Sequence, residues 1–224
     1  MNQLTSARRQ AITLGFWSAF AAAIFAIAFA ILAVAFPAAE WSGIEAYARS
    51  FDATQMASFV PASFLALAVV VLMVSIHYYA PAEQRILTLL AVVCSAIYAT
   101  IICTNYYLQL FVVRLNLQAG ELESLSVLAM PNFHSLFFAL EAIGYLFSSL
   151  ATLSVAPIFS GGRLANWIRG LFIVNGVIGI LGAIIAPFDQ PILILASLGF
   201  WSLSYPISMI LVGLYFRSAK GTLT

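Results

Sequence analysis

What most constrains this chain is the length of its apolar runs. A helix rises about 1.5 Å per residue and a bilayer's hydrocarbon core is about 30 Å thick, so a crossing needs about 20 consecutive apolar residues. Six stretches reach that length, at approximately residues 11–36, 57–79, 86–113, 133–158, 168–186 and 192–216. Segments of about ten residues with alternating polarity, which a membrane β-barrel requires, do not occur in the sequence. The expected fold is therefore all-α: one polytopic transmembrane helical bundle of six spans over residues 1–224.

Composition removes the competing classes. Apolar residues make up 63% of the chain and charged residues 8%, far below the roughly 25% that covers a soluble domain. Nine Lys and Arg against eight Asp and Glu leave a net charge of +1, too little for a nucleic-acid module. The first run has the Arg8-Arg9 flank of a signal peptide, but its length of about 26 residues exceeds the 7–15 of a cleavable segment. A retained first span is expected.

Loop charges set the expected orientation. Arg8, Arg9, Arg85, Arg163, Arg169, Arg217 and Lys220 fall at one end of the spans, and only Arg49 and Arg114 at the other. Basic residues accumulate on the cytoplasmic side, so both termini are expected inside a cell (inner or plasma) membrane. The two longer loops, residues 37–56 and 114–132, then face outward. In the first, Trp41, Ile44, Tyr47, Ala48 and Phe51 recur at helical spacing, which predicts a short interfacial helix; Leu122, Leu125 and Leu128 repeat the pattern in the second. Such loops either cap an outward cavity or simply connect spans at the interface.

Small residues predict close packing, since lipid offers no hydrophobic drive for helices to associate. Ala19, Ala22, Ala26, Ala30 and Ala33 line one face of the first span, and Gly176, Gly179, Gly182 and Ala183 one face of the fifth. Cys94 and Cys103 lie nine residues apart on one helix, about 13 Å of rise, so they cannot bridge and are read as apolar fillers.

Polar residues inside the spans carry the functional signal, because an ionisable group there is costly and by default marks a site. Glu141 is the one clear case, about nine residues, or 13 Å, from the start of the fourth run. His134 precedes it by seven residues, and Tyr145, Ser148 and Thr152 follow on the same helical face. The third span offers Ser95, Tyr98, Asn105 and Gln109 with Arg114 at its outer mouth, and counting sets Asn105 at the depth of Glu141. The sixth adds Ser197, Trp201, Ser204 and Ser208, with Tyr205 and Pro206 adjacent, and the fifth adds Asn175. The expected ligand site is an outward-facing pocket of Glu141, His134, Asn105, Gln109, Arg114, Tyr145, Trp201 and Tyr205. The competing reading is that Ser and Thr satisfy their own helix and that Asn, Gln and a neutral Glu only link helices.

Metal and cofactor chemistry is not expected. The two histidines, His77 and His134, fall at opposite ends of the spans, and no Cys, His or Asp cluster has ligand spacing. Glycine-rich phosphate loops are missing, and the sole lysine, Lys220, is in the tail, away from any retinal-type position.

The run Asn132, His134, Phe137-Phe138, Ala139-Leu140-Glu141 and Gly144-Tyr145, together with residues 105–114, resembles uncharacterised bacterial and archaeal six-span membrane proteins. Phe133 stands where that family carries proline. The resemblance implies a site at this helix start and no particular activity.

Three functions fit. The first is a binder or carrier of a small lipophilic or cationic solute, with Glu141 as the charge or proton site, Asn105 and Gln109 as hydrogen-bonding groups, and Phe137, Phe138, Trp201 and Tyr205 as walls. The second is an intramembrane enzyme on a lipid or isoprenoid, with Glu141 as general acid and His134 as relay. The third is an assembly subunit whose polar stripe meets another membrane protein or a second copy of the chain.

Overall fold

The computed structural model describes residues 2–188 and 190–221; the Lys220 side chain lies outside what is described. Six long helices make up the bundle: α1 (Asn2–Ala35), α3 (Phe59–Tyr79), α4 (Arg85–Leu108), α6 (Leu136–Val155), α7 (Arg163–Ile185) and α8 (Pro191–Gly221). Two short ones, α2 (Ile44–Ser50) and α5 (Arg114–Ala119), lie in the long connections. No strand occurs among the described residues. Six helical segments are long and apolar enough to cross a membrane, one for each apolar run of the sequence.

Several helices run beyond the expected apolar limits, and two boundary differences bear on the polar residues. The third span does not stop at residue 113 but passes through a π turn, Gln109–Val113, directly into α5. It ends where Gly120 adopts the left-handed conformation at φ 75°, with the Gly120 and Glu121 amides donating to the Leu117 and Asn116 carbonyls. The fourth span begins at Leu136 rather than at residue 133, because the Ser135 hydroxyl accepts from the Phe138 amide and caps the helix.

Successive spans are packed neighbours whether a short turn or a long connection joins them: the pairs run α1–α3, α3–α4, α4–α6, α6–α7 and α7–α8, and α1 against α8 closes the ring. Both termini therefore share one end of the bundle, the terminal end; the long connections form the distal end. Small residues allow the closure. Ala19, Ala22 and Ala26 are fully buried, while Ile24, Ile27 and Ile31 on another face of α1 are exposed, as lipid-facing residues should be. Gly15 lies against the Phe216 ring and Gly213 against the Phe20 ring. On α7, Gly176 faces Leu153, Gly179 faces Ser149 and Gly182 faces Ser197, so this one helix is gripped from both sides.

The distal connections are packed together rather than strung separately. Tyr47 and Met56 from the first, and Val113, Leu117, Leu125 and Ala129 from the second, bury one another in a second apolar cluster. The helix expected around Tyr47 is α2, whereas the Leu122, Leu125 and Leu128 segment forms only a single 3-10 turn, Leu125–Val127. Left-handed backbone at Gly120 and Ser124 interrupts any longer helix there.

Substitution of two glycines of α7 should separate packing from propensity. A methyl group at Gly176 would overlap Leu153, whereas one at Gly170 meets nothing within 4 Å. Gly176→Ala is expected to lose about 1–3 kcal/mol through overpacking, and Gly170→Ala to be neutral or gain up to about 1 kcal/mol of helix propensity. Thermal unfolding in detergent reads both signs.

Candidate functional site

The distal third of α4 and the first residue of the π turn supply the anchoring groups. Asn105, Tyr106 and Gln109 are fully buried and each reaches across to the segment that runs from residue 128 into α6. Gln109 holds the loop from both sides: its Nε2 donates to the Leu128 carbonyl at 2.7 Å, and its Oε1 accepts from the Met130 amide at 3.2 Å. Asn105 Nδ2 donates to the Phe137 carbonyl at 3.0 Å and contacts Met130 Sδ at 3.4 Å. The Tyr106 hydroxyl donates to Glu141 Oε1 at 2.6 Å, and its ring is stacked on Phe59 with centroids 4.7 Å apart.

Glu141 sits in a wall between two cavities. On its distal side is a vestibule of about 230 Å³, roofed by Tyr47, Gln55 and Met56 from the first connection and by Met130 and Pro131 from the second. On its other side is a narrower cleft of about 70 Å³ between α6, α7 and α8, lined by Tyr145, Ile178, Gly179, Gly182 and Trp201. Phe138, Glu141 and Leu198 line both. Because α6 starts at Leu136, Glu141 is five residues into the helix, roughly 8 Å from its N-terminal end rather than near mid-span. Among the described residues its single hydrogen bond is the one from Tyr106, and no cation pairs with it.

An aromatic band runs below the carboxyl. Phe29 of α1 meets Trp201 of α8 at 6.3 Å, Trp201 meets Tyr145 of α6 edge-on at 5.3 Å, and Tyr145 meets Tyr98 of α4 at 6.3 Å. Tyr205 stacks behind Trp201 at 4.8 Å. One polar atom in this region, Asn105 Oδ1, is buried without a partner among the described residues, and Gln55 Oε1 is a second in the vestibule roof. Tyr47 also lines the vestibule; burial pushes its phenol up to about 12, so it stays a neutral donor at physiological pH.

The eight residues expected to share one pocket do not all meet. Glu141, Tyr145 and Trp201 line the cleft, and Glu141 and Gln109 line the vestibule. Asn105 bonds the Phe137 carbonyl and not Glu141, and Tyr205 lies behind the aromatic wall, in neither cavity lining. Arg114 turns back on its own helix, its Nε donating to the Leu110 carbonyl at 2.8 Å, and lines neither cavity. His134 precedes the helix, in a turn where its amide donates to Asn132 Oδ1, so seven-residue spacing does not align it with Glu141. It borders a separate groove between α6 and α7 with Phe138, Ala142 and Ala183.

Several other polar residues are structural. Ser149 and Thr152 donate to carbonyls of their own helix, and Asn175 joins α7 to α8 by accepting from Ser204 Oγ at 2.5 Å and donating to Ser208 Oγ at 3.2 Å. Among the described residues no three His, Cys, Asp or Glu side chains are grouped to hold a metal ion.

Tyr106, the hydrogen-bond partner of Glu141, is the residue that polar-face counting misses. It lies one position beyond Asn105, a rotation of about 100° on an ideal helix, and so outside the counted stripe. The signal was a tyrosine inside a span, since a buried phenol needs an acceptor. Comparison with known protein families, with curated proteins and with solved structures finds no match to this chain.

The double anchor at Gln109 yields a stability test. Gln109→Leu leaves the Leu128 carbonyl and the Met130 amide without their partners, which should cost about 2 kcal/mol. Limited proteolysis should then cut between residues 120 and 135 faster than in the wild type, while the transmembrane helices keep their circular dichroism.

Proposed function

We propose that this chain is a multi-pass protein of a cell membrane, with both termini cytoplasmic, that binds or carries a small lipophilic cation at Glu141. The observation that carries this reading is the position of the carboxyl: one oxygen is held by Tyr106, no cation neutralises it among the described residues, and its walls open on two cavities. A carboxylate beside Trp201, Tyr145 and Phe138 suits a cation with an apolar body, which gains Coulomb attraction and contact with aromatic faces together. The vestibule would take the polar end, next to Gln55, Gln109 and Tyr47, and the cleft the apolar end, against Ile178, Gly179 and Ala183. The orphaned acceptor Gln55 Oε1, in the vestibule lining, supports a site completed by a further donor. Orientation rests on the loop charges, seven basic residues at the terminal end against two at the distal end.

Tetraphenylphosphonium, a lipophilic cation, provides the test. Glu141→Gln preserves shape, and its stability should stay within about 1 kcal/mol of wild type, the scale of one intramembrane hydrogen bond. Its affinity for the probe should fall at least about tenfold, or 1.4 kcal/mol. Wild-type affinity should also fall as pH drops, since protonation removes the charge the ligand needs, and the variant should show no such dependence. Equal binding by both proteins would overturn the reading, as would tighter binding at low pH, the sense expected of a neutral acid donor.

Orientation has its own measurement. Cysteines introduced at Gly162 and at Glu123, both exposed, should differ in intact cells. The first should resist an impermeant thiol reagent and the second should react; the reverse would invert the assignment.

A further inference from the structure

A further cavity lies at the opposite end of the molecule, about 480 Å³ in volume, where five parts of the chain converge. Arg8 comes from the start of α1, Tyr78 and Tyr79 from the end of α3, Arg85 from the start of α4, Ser160 from the α6–α7 turn and Tyr215 from α8. Its named polar side chains are two guanidiniums, three phenols and a hydroxyl, and no Asp or Glu lines it. The nearest acid in sequence, Glu83, is exposed on the α3–α4 turn and outside the lining.

The donors are organised. The Arg8 guanidinium carbon lies 5.2 Å from the centre of the Tyr79 ring, a stacked position that fixes a side chain otherwise free to move. The Tyr79 hydroxyl lies 3.4 Å from that of Tyr215, and the two rings meet edge-on at 5.9 Å. Among the described residues no carboxylate lines the cavity beside these guanidiniums, and guanidiniums grouped in this way raise the local positive potential, which an anion lowers.

We propose that this cavity binds a phosphate group. Guanidiniums from two elements and hydroxyls from three other parts of the chain line this one cavity, which suits a tetrahedral anion with several acceptor oxygens. A planar carboxylate would be filled by one guanidinium fork. The phosphate belongs either to the headgroup of an anionic phospholipid or to a free phosphate ion. The site is independent of Glu141 and stands or falls without it.

The test uses the full chain, delipidated in a neutral detergent, with three probes: inorganic phosphate, short-chain phosphatidylglycerol and short-chain phosphatidylcholine. Arg8→Gln/Arg85→Gln removes both cavity cations, and Arg9→Gln/Arg217→Gln removes the same charge from exposed positions outside the lining. Phosphatidylglycerol should bind the wild type more tightly than phosphatidylcholine does, weaken about tenfold in the first variant and keep its affinity in the second. Phosphate binding with the same dependence assigns the site to the free ion as well, and lipid binding alone assigns it to the headgroup. If the double variant fails to fold, Arg85→Gln, at an exposed position, replaces it with the same expected direction. Phosphate binding without lipid binding assigns the site to the free ion alone; the proposal is overturned if no probe binds, if the two lipids bind equally and phosphate does not bind, or if both double variants lose affinity equally.

Discussion

A polar group carried into an apolar slab must find its partner inside the protein, and the distal half of this bundle is arranged around that requirement. Asn105, Tyr106 and Gln109 occupy little more than one turn of α4, yet their hydrogen bonds reach Leu128, Met130, Phe137 and Glu141. Those contacts tie a non-helical loop to the start of α6 and set the depth at which α6 enters the bundle. The π turn that begins at Gln109 follows immediately, so α4 changes its register just past its last anchoring side chain and carries Val113 and Leu117 into the distal cluster.

Closure of the ring depends on the opposite kind of residue. Gly15, Gly213 and the buried alanines of α1 let α1 and α8 meet, which brings Phe29 against Trp201 and completes the aromatic band from α1 through α8 and α6 to α4. The glycines of α7 act differently along their length. Gly176 is filled by Leu153, while Gly179 and Gly182 also border the cleft below Glu141. The same small residues that permit helix contact therefore leave room for the narrow space between α6, α7 and α8.

The six spans were legible because each is a long apolar run, and no packing information is needed to find one. The short helix α2 was legible from the spacing of Trp41, Ile44, Tyr47 and Phe51 for a similar reason. Glu141 stood out by its cost, but its neighbours did not follow from counting. Helical spacing holds only inside a continuous α-helix, and both counted stripes met a break: His134 lies before the Ser135 cap, and Arg114 lies beyond the π turn. The cap had a sequence signal in a serine directly ahead of an apolar run. The π turn at Gln109 had none. Tyr106 escaped because face counting registers angle and ignores the length of a side chain that can span a helix interface.

Charge separates the two ends of the molecule. Distally, a lone carboxyl is held by a phenol among aromatic rings; at the terminal end, Arg8 and Arg85 stand among tyrosines with no acid in their cavity. Between these ends the core holds the fully buried Leu65, Val69, Leu72, Met73 and Met209 together with buried polar side chains such as Ser95, Thr152 and Asn175. The open directions from the carboxyl are the vestibule above it and the cleft between α6, α7 and α8, and both are walled mainly by apolar side chains. A ligand of mixed character, charged at one end and apolar along its body, is therefore the kind of molecule for which this end of the bundle offers complementary surfaces.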